Sequence, residues 1–205
     1  MAIQDTSAKA EAIRSILARR ILIVDGAMGT SLQEAGLGPD DFGGIDLEGC
    51  NENLVRSRPE VIENVHRRFL EAGADIIETD SFGSTPLVLA EYGLEGDSLE
   101  LSRLSAEIAR RAADEASTDE HPRFVAGSMG PTTKTISVTG GVTWEELAES
   151  FRTQAQGLVE GGADFLLIET SQDTLNIKAA LEGIDRAAQD LGQNPAVAVQ
   201  GTVET

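Results

Sequence analysis

The chain has 205 residues, 40% of them hydrophobic and 25% charged, one cysteine and a formal net charge of −19. Sixteen basic residues diluted by 35 acidic ones argue against a nucleic-acid binder, and the absence of an apolar run near bilayer length argues against a membrane protein. A lone Cys50 excludes an internal disulfide, and the first twenty residues lack the apolar core of a signal peptide, so a reducing, cytoplasmic setting is expected.

Residues 5–19 read as a helix, and segment 1–20 is taken as a unit ahead of the main domain at 21–205. "ILIVD" (21–25) reads as a buried strand that stops at Asp25, with Gly26 and Gly29 just beyond it. Ser57-Arg58-Pro59-Glu60 has the form of a capping box with proline in the first turn. It opens a helix over 58–72 on which Val61, Ile62, Val65 and Phe69 share a face, closed by Gly73. Strands follow at 74–80, 123–128, 163–169 and 196–201, with helices at 84–92, 99–117 and 172–191 between them. A further helix opens on the capping box Thr143-Trp144-Glu145-Glu146 and closes at Gly161-Gly162.

Strand and helix in alternation, with short connections, predict a parallel sheet covered by helices, either doubly wound or a (β/α)₈ barrel. Polar residues gather at one end of the strands: Asp25, Asp80, Ser128, Glu169, and Gln200 or Glu204. That ring is where a barrel builds its active site, so the expected fold is an α/β (β/α)₈ TIM barrel. At about 40 residues per unit, eight units need roughly 300 residues, so about the first five βα units are expected, ending before strands 6–8 with an edge left unpaired. "FLEAGADIIETD" and "LVEGGADFLLIE" echo one another and set Asp80 and Glu169 at equal depth. Glu78-Thr79 lies two places earlier in its strand than Glu169-Thr170, and the shared Glu-Thr is read as coincidence.

Asp25 has two readings: an Asx cap on the following turn, or a carboxylate that holds a cationic ligand group while Gly26 and Gly29 let backbone N–H groups approach an anionic one. A zwitterionic amino acid carries both charges, and Glu169 converging on the same ammonium favours the second reading. His66 and His121 have no partner at metal-ligand spacing and read as solvated or capping residues. Cys50 reads as a surface or partly buried thiol without a role, and Trp144 and Tyr92 as packing residues. The glycines of "DGAMGT" lack the spacing and the lysine of a phosphate loop.

"DGAMGT", "NENLVRSRPEVIENVHRRFLEAGADIIETDSFGST", "AGSMGPT" and "GGADFLLIETSQDTLNIKAAL", in this order, resemble the homocysteine S-methyltransferase family. The resemblance runs from about Ile21 to Thr205 and is closest to the N-terminal homocysteine-binding domain of the cobalamin-dependent methionine synthase branch. It implies a barrel in which zinc binds the homocysteine sulfur, lowers the thiol pKa and presents a thiolate to a methyl donor. It implies that Asp25 and Glu169 contact the substrate ammonium, that the backbone at Gly26 and Ala27 lies near its carboxylate, and that Gly127, Ser128 and Gly130 line the floor. Asp80 stands where relatives often have asparagine and adds negative charge beside the site. The implied zinc ligands are three cysteines after the sixth and eighth strands, beyond Thr205, so no metal ligand and no catalytic residue is expected in these 205 residues. Cobalamin and methyltetrahydrofolate would act through other domains, making L-homocysteine, the remaining barrel half and those domains the expected partners. The expected reaction is methylation of the homocysteine thiol to methionine, with this chain inactive alone. A zinc-free amino-acid-binding module and an inactive truncated product are the alternatives.

Overall fold

The structure, a computed structural model, describes residues 6–137 and 140–202. It opens with helix α1 (Thr6–Leu17), followed by the short helices α2 (Met28–Glu34), α3 (Pro39–Phe42) and α4 (Leu54–Ser57). The longer α5 (Pro59–Ala72) leads into strand β1 (Ile76–Glu78), then α6 (Pro86–Leu89) and α7 (Ser98–Ala116). Strand β2 (Phe124–Met129), α8 (Trp144–Glu160), β3 (Phe165–Ser171), α9 (Thr174–Leu191) and β4 (Ala196–Gly201) complete the described chain. The four strands pair in parallel in the order β1-β2-β3-β4, so neighbours in sequence are neighbours in the sheet. A doubly wound sheet would reverse that order at a switch point.

The strand expected at 21–25 is reduced to one bridge, Val24 to Ile76, at the outer edge of β1. Asp25 N–H donates to the Ile76 carbonyl (2.9 Å) and Asp75 N–H to that of Ile23 (2.8 Å), so the segment does lie beside β1. Its ladder ends early because the Asp75 carboxylate takes the Ile23 N–H (2.9 Å) and both arms of the Arg20 guanidinium (2.8 Å each). Hydrogen bonding from Arg20 holds the Asp75 carboxyl below its usual range.

Side-chain alternation divides the sheet into two faces. Val125 and Met129 of β2 and Leu166 and Ile168 of β3 join Leu147, Phe151, Leu158, Ala179 and Ile184 in the main core under the long helices. On the opposite face Ile76, Phe124 and Ala126 pack with Leu22, flanked by Phe165 and Leu167, and α1 lays Ala12, Ile13 and Ile16 against them. A third cluster, including Leu54, Ile62, Val65, Leu89 and Leu101, fixes the short helices onto α5 and α7.

Local signals held where no tertiary partner competed. Thr143 and Glu146 form the reciprocal capping box, with Thr143 N–H donating to Glu146 Oε2 (2.8 Å) and Glu146 N–H to Thr143 Oγ1 (3.3 Å). Thr143→Ala is expected to cost about 1 kcal/mol, read from the urea midpoint. The box expected at Ser57–Glu60 is absent: Ser57 Oγ donates back to the Asn53 carbonyl (3.2 Å), and Arg58, the N-cap residue, ties Asp41 and Glu60 with its guanidinium. Of the helix expected at 84–92, only Pro86–Leu89 is α-helical, and Ala90–Tyr92 tighten into a 3₁₀ turn. The short helices between 28 and 57 carry no strong periodicity and were not expected. Residues 1–5 of the N-terminal helical segment and Glu204 lie outside the described residues.

His66 is not solvated. It is fully buried on α5, neither ring nitrogen has a partner, and burial pushes its pKa down to about 4. The folded state therefore holds His66 neutral and contributes stability above pH 6.5 that is lost as pH falls through about 4. His66→Leu, which removes two unpartnered nitrogens at similar volume, is expected to raise stability by about 1 kcal/mol at pH 7 and by about 2 kcal/mol more at pH 5, measured by urea unfolding. Cys50 is also fully buried, while Trp144 is 38% exposed. Tyr92 packs against the third cluster, as expected, and His121 is exposed.

Candidate functional site

Three carboxylates meet where the strands end. Asp25, just past the Val24 bridge, receives the Glu78 N–H on both oxygens (3.1 and 3.2 Å), which ties it to the last residue of β1. Glu78 follows Ile76 by two residues and so points to the α1 side of the sheet. Glu169 follows Leu167 in the same way on β3. Its Oε1 accepts from Ser128 Oγ (2.5 Å), and Ser128 shares that face because it pairs with Leu167.

Their electrostatics follow from this convergence. Burial, then Glu78 and Glu169, push Asp25 up to about 8, partly offset by its hydrogen bond from Glu78 N–H. Burial and Glu169 push Glu78 up to about 7. Glu169 is raised by burial and held back by the Ser128 hydroxyl. Among the described residues no cation acts on any of the three. Half-buried acids, two of which are raised by the charge of their neighbours, make a site that gains from a positively charged ligand.

The backbone of β3 is bent to place Glu169. The register between β3 and β4 shifts between Ile168 and Ser171, and Thr170 adopts φ 55°, the one positive φ outside glycine among the described residues. A bulge at a strand end re-aims side chains, and a left-handed β-branched residue is a strained conformation of the kind concentrated at functional sites.

Behind the carboxylates lies a buried hydroxyl network. Ser128 N–H donates to Thr79 Oγ1 (2.9 Å), Thr79 Oγ1 and Ser81 Oγ lie 2.6 Å apart, and Ser81 Oγ donates to the Ser128 carbonyl (2.8 Å). Gln154, reaching in from α8, donates to the Ser81 carbonyl (2.7 Å). Gly130 N–H donates to the Phe82 carbonyl (3.0 Å), and a Cβ at Gly130 would stand 2.7 Å from the Phe82 ring, so glycine is required beneath that ring.

The expected residues therefore divide. Asp25, Glu169 and Ser128 come together, with Gly26 and Ala27 leading from Asp25 into α2. Gly127 is not on the floor: a Cβ there would strike Leu166 (2.9 Å) and Leu158 (3.1 Å), so it serves the helix-side packing. Asp80 stands apart, because β1 ends at Glu78 and the chain turns. It is buried, faces Glu52, and is raised well above the carboxylate range by burial and that neighbour. Gln200 is exposed on β4.

Two acidic residues escaped the sequence reading. Glu78 was hidden because counting six residues from each alanine set Asp80 level with Glu169 and the shared Glu-Thr was read as coincidence, whereas its two-residue step from Ile76 signals the shared face. Glu52 carried no sequence signal. It accepts from Gly83 N–H (2.8 Å), pinning the β1–α6 loop.

The residues present do not make a zinc site. Among the described residues no three His, Cys, Asp or Glu side chains are grouped to hold a metal ion. The only cysteine, Cys50, is buried beside Glu52 with its thiol pushed up to about 12, by burial first and Glu52 second, the opposite of a metal-binding thiolate. No helix among the described residues is long and apolar enough to cross a membrane.

A parallel, sequentially ordered βα sheet with acidic residues converging at its strand ends defines an α/β domain of the class whose strand ends house enzyme sites. The chain belongs to the homocysteine S-methyltransferase family, whose model matches residues 22–205. Methionine synthase from Mycobacterium leprae is 47% identical over 189 residues, covering 92% of this chain and 15% of that protein. Methionine synthase from Mycobacterium tuberculosis is 44% identical over 190 residues, covering 93% and 16%. The chain thus spans about a sixth of the length of these relatives. Among solved structures, the oxidized form of the homocysteine methyltransferase MmuM from Escherichia coli superimposes with a TM-score of 0.70 at 27% identity, covering 90% of this chain and 63% of that one. Its metallated form gives the same TM-score at 26% identity, covering 90% and 64%.

Proposed function

We propose that this chain is the homocysteine-binding part of a methyltransferase of the methionine synthase type, in which segment 1–20 precedes about the first five βα units of a (β/α)₈ barrel. The sequential strand order supports the barrel. So do Val197 and Val199, which pair with Leu166 and Ile168 on the helix-side face yet are 39% and 49% exposed, as they would be beneath the helix of a further unit.

The observation that carries the functional reading is the charge of Glu169 acting on Asp25 in a half-buried site where Asp25 and Glu169 converge on one sheet face with no ion-pair partner among the described residues. The ammonium of L-homocysteine lies between these two carboxylates, and the backbone at Gly26 and Ala27 faces its carboxylate. Ser128 orients Glu169 through the hydrogen bond to Oε1. Gly130 admits the Phe82 ring at the pocket wall, and Asp80, raised well above the carboxylate range by burial and Glu52, acts on the site only through the loop it shares with Phe82. Zinc would be held by residues beyond Thr205, and cobalamin and methyltetrahydrofolate by other domains, so these residues bind and orient the acceptor and contribute no catalytic group. A buried, unpaired cysteine fits a cytoplasmic protein. Calorimetric titration of the intact gene product with L-homocysteine and, as a control, the same acid N-acetylated tests the reading. Binding of the free amino acid alone supports it, and equal binding of both sinks it.

A further inference from the structure

Three carboxylates face one ammonium in the proposed site, and the count leaves one of them without a charge partner. The geometry says which. Asp25 accepts the Glu78 N–H on both oxygens, and Glu169 accepts the Ser128 hydroxyl, so each has a donor that favours its anion. The Glu78 carboxylate receives no donor among the described residues, while it feels the charge of Glu169. The nearby cations on the same sheet face are already placed: Lys9 of α1 pairs with Asp164 at 2.5 Å, and Arg14 lines the apolar cavity with Leu22, Ile76 and Phe165, one layer below the carboxylates. The remaining acid in this region, Asp80, is turned toward Glu52.

We propose that Glu78 is the third carboxyl of the pocket and stays protonated when an amino-acid ammonium lies between Asp25 and Glu169, so that ligand uptake drives protons off the pocket and is proton-linked. The inference rests on the ammonium reading above. The proton balance is simple: a proton leaves Asp25 for solvent as the ammonium replaces it, and Glu78 keeps its own because its carboxylate has no donor of its own among the described residues.

Two consequences separate this role from a structural one. Homocysteine binding to the intact gene product tightens as pH rises from 6 to 7 and releases protons there, seen as a dependence of the binding heat on the ionisation enthalpy of the buffer. Glu78→Gln mimics the protonated acid and needs no reprotonation above pH 7, so it binds about tenfold more tightly than the wild type at pH 8. The variant then binds at least as tightly as the wild type at pH 6, whereas damage to the fold would weaken binding at every pH. Equal affinities of variant and wild type at pH 8, or uniformly weaker binding of the variant, overturn the inference while leaving the ammonium site standing. The wild-type measurement holds even if the variant does not fold, since binding without proton release also overturns it. No binding by the wild type removes the ammonium reading and this inference together.

Discussion

Asp25→Asn and Glu169→Gln are each expected to weaken L-homocysteine binding about 100-fold in the intact gene product while making the unliganded protein more stable at pH 8. The loss follows from removing one charge-assisted contact to an ammonium in a half-buried site, worth about 2–3 kcal/mol. The gain follows from linkage. Asp25 titrates at about 8 in the folded chain against an ordinary 3.8, so the folded state holds a proton that the unfolded state has released across that interval. Its contribution to stability is complete below pH 4 and is lost as pH rises through 8. Asparagine cannot ionise, and its amide oxygen still accepts the Glu78 N–H. Unfolding midpoints in urea at pH 5 and pH 8 should therefore show a decline in the wild type that flattens in Asp25→Asn, with a gain of about 2 kcal/mol at pH 8. A variant that loses binding and stability together would mean that Asp25 is a turn cap and nothing more.

Gly157→Ala is expected to destabilise the chain by about 3 kcal/mol or more. A Cβ at Gly157, on α8, would stand 2.4 Å from the Leu99 carbonyl oxygen and 2.8 Å from Ser102 Cβ, both on α7. The same holds at Gly183 on α9, where a Cβ would lie 2.5 Å from the Ala148 carbonyl oxygen and 2.7 Å from the Arg152 nitrogen of α8. These obstacles are backbone, so relief requires the helices to separate, and separation opens the core around Phe151 and Leu158. Gly96→Ala is the control: nothing lies within 4 Å of its Cβ position, and a change below about 0.5 kcal/mol is expected. Equal effects at Gly157 and Gly96 in chemical denaturation would refute close helix crossing as the reason for glycine.

The long elements were legible because their signals are local. Amphipathic spacing over 99–117 and 172–191, the Thr143 capping box and the Gly73 terminus each depend on residues within a few positions of one another, and α7, α9, α8 and α5 follow them closely. The strand-end position of Asp25 and Glu169 was readable for the same reason: each closes an apolar run. Ser57 and His66 were misread because their environments come from other parts of the chain. Arg58 is engaged by Asp41, and α5 is packed on every side that His66 could have used to reach solvent.

The order of apolar runs, caps and glycines along this chain was enough for an α/β domain of parallel strands and for two of its site carboxylates, since period and chain reversal are written in neighbouring residues. The meeting of Asp25, Glu78 and Glu169, the buried Asp80 turned to Glu52, and the bulge that aims Glu169 came from packing alone. Each depends on distances between segments nearly thirty or more residues apart, or on a register set between strands, and a carboxyl's charge state is decided by the water and neighbours left around it after those segments close.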